Sequence, residues 1–265
     1  MRTIAITNQK GGCGKTTTAV NLAAALAGKA KRVLLVDLDP QAHATLGLGA
    51  NPEALERTIH DVLVNPQIPV SQILLPTQVE GLYLAPSNVL LSGAESQMIH
   101  MYSREYVLRD RLSAAAGDFD FCIIDCSPSL SIMNLSALVA ADEVIVPVQA
   151  HYYAIEGLRQ MLETIQIVRE RFNPNLKVCG ILLTLYESRT SLSRDVEQQM
   201  REYFREKVFA TVIHRNIRLA EAPSAGQSVL TYDRSCRGAK EYMALAEELS
   251  YENQTRITEE NFVHI

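Results

Sequence analysis

The sequence predicts a single α/β domain: a twisted, mainly parallel sheet with helices on both faces. Three observations carry that prediction. Short β-branched apolar runs alternate with helical stretches along the chain, the mark of parallel strands covered on both sides. The 265 residues, 47% of them apolar, suit one large core better than two small ones. A glycine-rich loop stands between the first apolar run and the first helical stretch, where α/β folds gather their ligands.

Residues 2–7 read as the first strand, because Ile4, Ala5 and Ile6 form a short apolar run that ends at the glycine loop. Residues 16–27 (TTTAVNLAAALA) read as an alanine-rich helix lying tight on the sheet, and 32–37 (RVLLVD) as the second strand. Further buried strands are expected at 82–85, 121–125, 143–147 and 178–184, each short, branched and bounded by polar residues or turns. Helices are expected at about 104–116, 155–171, 193–206 and 237–249; Gly157 weakens the start of the second, and Pro174 fits a stop after it. Residues 250–265 are polar and acidic, and are expected to form a disordered or loosely docked tail outside a folded domain of residues 1–249.

Composition excludes several classes. The five cysteines (Cys13, Cys122, Cys126, Cys179 and Cys236) are scattered and odd in number, which fits reduced thiols better than a disulfide framework or a zinc site. Cys122 and Cys126, four apart on a strand, point to one face and read as core. No apolar stretch approaches the roughly 20 residues of a membrane span, and Met1 and Arg2 lead straight into the first strand without a signal peptide. A cytoplasmic protein is expected. The net charge of -5 argues weakly against a nucleic-acid partner, yet residues 185–240 hold ten Lys/Arg against seven Asp/Glu, which permits a basic face near the C-terminus.

The central motif is Lys10-Gly11-Gly12-Cys13-Gly14-Lys15-Thr16-Thr17. Glycines let backbone N–H groups turn inward around phosphate oxygens, and the following helix adds the positive end of its dipole. Lys15 supplies a charge for the β- and γ-phosphates of ATP, and the Thr16 hydroxyl is a ligand for Mg²⁺. The ordinary Walker A pattern wants glycine at position 9, where this chain has Gln9; Lys10 and the Gly11-Gly12 pair replace the usual opening. Acidic residues support the site. Asp125 ends the apolar strand 121–125 as a Walker B aspartate does, and Asp37 and Asp39 end the second strand on one side of it.

Four segments, 9–18 (QKGGCGKTTT), 33–41 (VLLVDLDPQ), 122–129 (CIIDCSPS) and 215–224 (RNIRLAEAPS), together resemble the ParA/Soj partition ATPases, and 146–157 (VPVQAHYYAIEG) and 237–239 (RGA) fit as well. The resemblance spans about residues 2 to 249 in order. The loop alone indicates only the wider class that includes MinD and the nitrogenase iron protein; segments 215–224 and 146–157 narrow it. The resemblance implies a deviant Walker fold and a Mg-dependent ATPase cycle. ATP would close a homodimer face to face, the dimer would bind duplex DNA without sequence preference, and a ParB-type partner would stimulate hydrolysis and release it, at the nucleoid. It assigns Lys10 to the partner's phosphates across the interface, Asp39 to the attacking water, and Asp37 and Asp125 with Thr16 to the Mg²⁺ shell. His214 through its backbone and Asn216 through its side chain would approach the adenine, and Arg189 and Arg218 the DNA. Arg194, Arg201, Arg205 and Arg237 are further candidates for that face. The opposing reading of these arginines is a solvated surface paired with acids such as Glu187 and Glu221.

Departures from the family pattern are His214, where proline is common, Ala42-His43 in place of Gly-Asn, and Cys13 in place of valine; redox control through Cys13 is one consequence considered. A MinD-like membrane ATPase would need a basic amphipathic C-terminal helix, and the acidic tail does not match it. An iron–sulfur carrier would need paired cluster cysteines. A biosynthetic ligase or synthetase would need an inserted substrate pocket, which the sequence does not show. With the glycine loop starting at residue 10, a short form without an upstream helix-turn-helix is expected; the cargo, whether chromosome, plasmid or protein assembly, is left open.

Overall fold

The structure is a computed structural model that describes residues 1–262 except Leu130 and Tyr153, with side chains as far as Ser250. Tyr153, within the 146–157 segment, and the last three residues of the tail lie outside the described residues. The strands are β1 (Arg2–Ile6), β2 (Val33–Leu38), β3 (Leu75–Pro76), β4 (Leu82–Ala85), β5 (Phe121–Cys126), β6 (Glu143–Gln149) and β7 (Lys177–Thr184). The helices are α1 (Lys15–Ala27), α2 (His43–Gly47), α3 (Ile59–Val64), α4 (Leu91–Met98), α5 (Val107–Ser113) and α6 (Ile132–Ala140) in the first half of the chain. They continue with α7 (Ala154–Arg171), α8 (Ser191–Phe204), α9 (Ile217–Glu221), α10 (Val229–Tyr232) and α11 (Arg237–Phe262).

One sheet runs in the order β3-β4-β2-β5-β1-β6-β7, with every pairing parallel except β3 with β4. Both faces are buried, which is why these strands read as unbroken apolar runs. Ile4, Ile6, Val33 and Leu35 face α1 and α11, packing on Leu22, Leu26, Tyr242 and Leu245. Ala5, Leu34, Val36 and Ile124 face the opposite layer, where Ile59, Leu91, Leu108, Leu138 and Leu158 lie. Cys122 and Cys126 share that second face as core residues. The alanines of α1 let the helix sit close to the sheet, and nearly its whole length is buried.

Each strand expected from sequence is present, with ends shifted by no more than two residues; β3 was not expected. The helix expected at 104–116 is shorter, a 3₁₀ turn at 104–106 leading into α5. The last helix continues beyond residue 249 to Phe262, so the backbone of most of the 250–265 segment is helical rather than irregular. Arg2 ties the end of its buried part to the sheet, donating from Nη1 to the Leu249 carbonyl at 3.0 Å and pairing with Glu143.

Candidate nucleotide site

β1 feeds the glycine loop, and hydrogen bonds fix the loop at both ends. Asn8 donates its side-chain amide to the Pro147 carbonyl at 2.7 Å and accepts the Lys10 amide at 3.0 Å. Thr184, the last residue of β7, donates its hydroxyl to the Cys13 carbonyl at 2.8 Å. Gly12 and Gly14 have φ values of 71° and 83°, a region that costs residues with a Cβ about 1–2 kcal/mol. Gly14 caps α1 with no side-chain hydrogen bond, and the first turn of α1 holds no acid, so the helix amides stay open to an anion. Lys15 folds back beneath the loop, buried, with Nζ donating to the Lys10 carbonyl at 2.8 Å. Lys10 turns sideways: its Nζ contacts Nε2 of His151, just past β6.

The Cys13 thiol is 1% exposed and donates to the Lys10 carbonyl. Burial pushes its pKa up, against a smaller opposing effect of Lys15. A reactive thiol is exposed and acidified, so this one has the properties of packing rather than of a redox sensor.

The carboxylates differ from one another. Asp37 and Asp125 are partners in the parallel β2–β5 register, both fully buried. Asp37 spends its oxygens inside the fold: Oδ2 accepts the Thr45 amide at 2.8 Å and hydroxyl at 2.7 Å, and Oδ1 accepts the Asp39 amide at 3.2 Å. Burial nevertheless pushes its carboxyl up to about 6, the Thr45 bonds opposing. Ala42 makes that clamp possible. It holds a left-handed conformation (φ 53°) at the N-terminus of α2, a backbone more usual for glycine, and α2 presents Thr45 to Asp37. Asp39 accepts the Gln41 amide on Oδ1 at 3.0 Å and is steadied through its carbonyl by the Ser87 hydroxyl at 2.8 Å.

Asp125 has neither oxygen hydrogen-bonded among the described residues. Burial, then the charge of Asp37, raises its pKa well above the carboxylate range; the Thr16 hydroxyl nearby opposes this without closing a well-formed bond. A buried orphaned carboxylate facing a threonine hydroxyl and a lysine fits a divalent cation. Among the described residues no group of three or more His, Cys, Asp or Glu is arranged to hold a metal. Such a cation would therefore use Asp125, Thr16, phosphate oxygens and water, the mixed shell Mg²⁺ prefers. Asp37 fits that shell less well than sequence implied, because Thr45 already occupies it.

This environment sets up an opposition between stability and binding. Unliganded Asp125→Asn is expected to be more stable than wild type by about 1–3 kcal/mol at neutral pH. The folded carboxyl binds its proton more tightly than the unfolded one, so wild-type stability falls as pH rises through the interval between the two pKa values. The advantage of asparagine should accordingly shrink as pH falls and be lost below about pH 3, where both states are protonated. Urea unfolding of both proteins at the two pH values checks this, and calorimetry should show that nucleotide binding has lost its Mg²⁺ dependence.

Two cavities flank the loop. One of about 430 Å³ holds Gly11, Gly12, Lys15, Thr16, Asp39 and Gln41, the phosphate end. The other, of about 500 Å³, is lined by Thr184, Leu185, Ile213, His214, Asn216 and Tyr242 among others, with apolar walls suited to a base. His214 turns no free nitrogen toward it. Its Nδ1 pairs with Glu241 at 2.7 Å, its Nε2 meets Arg237 Nη2 at 2.6 Å, and its ring packs edge-on to Tyr186. Asn216 accepts the Arg218 amide on Oδ1 at 2.8 Å, capping α9, which leaves its NH₂ group to donate.

Segments 185–190 and 215–218 lie side by side, joined by the Tyr186–His214 bridge and by the 3.0 Å ion pair of Arg215 with Glu187. They carry Arg189, which makes no hydrogen bond or ion pair among the described residues, and Arg218, which pairs with Glu221 at 2.8 Å and Asp233 at 3.4 Å. Arg194, Arg201 and Arg237 are hydrogen-bonded to Ser188, Glu197 and Glu241 respectively. Sequence reasoning missed Thr45, Thr184 and Leu185: a threonine or leucine after an apolar run carries no distinctive spacing.

A lysine folded under a glycine loop, in front of an uncapped helix and beside a strand-end aspartate, is the geometry of P-loop nucleotide-binding proteins, here in the variant that opens with a second lysine. A family model described as an AAA domain matches residues 1–178. Over 247 residues the chain is 48% identical to the sporulation initiation inhibitor protein Soj of Bacillus subtilis, covering 93% of this chain and 97% of that one. It is 46% identical over 248 residues to the chromosome partitioning protein ParA of Myxococcus xanthus, covering 94% and 87%. The chain belongs to the ParA/Soj family of partition ATPases. Among solved structures, one named cobyrinic acid a,c-diamide synthase from Mycobacterium smegmatis, with bound ATP analogue and magnesium, superposes with a TM-score of 0.83 at 42% identity, covering 93% of each chain. No helix among the described residues is long and apolar enough to cross a membrane.

Proposed function

We propose that the chain binds Mg·ATP on residues 10–17 and hydrolyses it in a dimerisation cycle that captures and releases DNA. The observation that carries this reading is a buried Lys15 opening an uncapped helix together with an orphaned, buried Asp125 at a strand end. Lys15 and the α1 amides hold the phosphates, Thr16 and Asp125 hold Mg²⁺, and Asp39 orients the attacking water. Phosphoryl transfer asks for little more than such positioning and neutralisation of charge. Lys10 leaves His151 and reaches the phosphates of a second subunit when two ATP-bound copies close. A ParB-type partner then accelerates hydrolysis, and the chain segregates chromosomal or plasmid DNA. The synthase name of one similar structure supports a second reading, ATP-dependent amidation. That reaction would show as glutamine-dependent product formation, with no effect of DNA.

The DNA-binding claim rests on Arg189 and Arg218. The ion pairs of Arg218 are exposed and screened by solvent, so DNA phosphates compete with them readily. Binding should ignore sequence and fall steeply with salt, each lost phosphate contact lowering the log–log slope by about 0.9. Arg218→Glu is expected to keep ATP binding and dimerisation while losing ATP-dependent binding to arbitrary duplexes. Gel-shift titrations on unrelated duplexes, with and without ATP at two salt concentrations, decide it. A wild-type dimer that ignores DNA at low salt, or a charge-reversed variant that binds normally, removes the DNA face from the cycle and leaves the ATPase assignment standing.

A further inference from the structure

Leu185 carries backbone strain that its packing does not call for. Its φ is 49°, in the left-handed region where a bulky side chain crowds the following carbonyl. Both neighbours are pinned. Thr184 donates its hydroxyl to the Cys13 carbonyl at 2.8 Å, and its own carbonyl accepts the Ala150 amide at 3.3 Å. Tyr186 donates its amide to the Ile213 carbonyl and accepts the Arg215 amide, each at 3.1 Å. The turn between these two sets of bonds falls on Leu185, at a position that glycine or asparagine would occupy at lower cost.

The residue is 37% exposed, so burial alone does not account for the leucine. Leu185 lines both the base cavity and the phosphate cleft; Gly14 and Thr17 are the other residues that line both. Leu185 is thus the large apolar side chain at the junction of the two, over the first turn of α1. Strain retained at an exposed apolar group facing a cleft is the kind that serves a ligand.

We propose that Leu185 is a positioning residue for the nucleoside: its side chain packs on the ribose and the adjoining edge of the base, and so aligns the triphosphate with the loop. This rests on the nucleotide-binding reading above. A polyphosphate without a nucleoside offers no ribose or base for Leu185 to pack on, which separates this role from any effect on the loop.

The test compares Leu185→Gly, Leu185→Asn and Leu185→Met with the wild-type full chain by calorimetry, using Mg·ATP and Mg·tripolyphosphate, alongside thermal unfolding without ligand. Glycine and asparagine are expected to weaken ATP binding by about 5–10-fold, the loss of one apolar contact, and to leave tripolyphosphate binding unchanged. Their unfolding midpoints should hold or rise, because the left-handed turn is relieved. Methionine, which keeps the apolar volume, should bind ATP as wild type does. Unchanged ATP affinity, equal losses for both ligands, or lowered midpoints for both turn-compatible variants would overturn the inference. Absence of ATP binding by the wild type would instead remove the nucleotide reading beneath it.

Discussion

Lys15→Ala is expected to weaken Mg·ATP binding by about 100-fold or more with the fold intact. The buried ammonium is the cation beneath the glycine loop, and its bond to the Lys10 carbonyl holds it at the phosphate end. Charge-assisted contacts to phosphate contribute about 1.5–3 kcal/mol each, and a buried lysine can make more than one. The fold should survive, because Asn8 and Thr184 anchor the loop without help from the lysine. Calorimetry gives the affinity and circular dichroism the fold. A folded variant with near wild-type affinity would sink the assignment of residues 10–17 to nucleotide.

Asp39→Ala should bind ATP yet hydrolyse it about 10²–10³-fold more slowly, the scale of losing one well-placed polar group at the reacting centre. Asp39 lies at the phosphate end beside Gln41, steadied by the Gln41 amide and by Ser87, with no role in gripping the loop. ATP-loaded dimers should therefore accumulate. Lys10→Ala should do the reverse, binding ATP in one subunit and failing to form a stable dimer, because in the proposed cycle its charge acts across the interface. In the single subunit that charge is parked on His151, so its removal leaves the loop of the same chain in place. Size-exclusion chromatography with ATP, paired with phosphate release, reads both. An Asp39 variant that stays monomeric, or a Lys10 variant with a normal ATP dimer, contradicts the cycle.

The elements most legible in sequence were those whose burial is one-dimensional. β2 and β5 are buried on both faces, so their apolar runs announce themselves, and α1 follows a glycine loop that nothing else in the chain imitates. α6 was missed because nine residues, apolar almost all round (IMNLSALVA), show no period that separates a helix from a strand. α2, α3 and α4 are short and lie in the connections that follow β2 and β4, and their apolar residues are buried only once the sheet stands beside them. α11 outran its predicted end because polar composition describes solvent exposure rather than backbone conformation.

The chemistry of the site is already written in the order of residues: a loop of glycines, two lysines, a threonine and strand-end aspartates, all within short stretches whose geometry is local. Tertiary structure decided which of those groups are free. Asp37 and Asp125 look equivalent as strand-end acids, yet Thr45, presented from α2, satisfies the first, while no well-formed hydrogen bond among the described residues satisfies the second. His214 is expected to meet the base through its backbone, yet Glu241 of α11 takes its amide and, with Arg237, its ring nitrogens, while Asn216 keeps a donor. Leu185 looks like the last residue of an apolar run, and only the pinned neighbours reveal its strained turn. The physical reason is the same each time. A residue's chemistry is carried by its own side chain, but whether its lone pairs, protons and backbone are already committed depends on groups brought in from elsewhere in the chain.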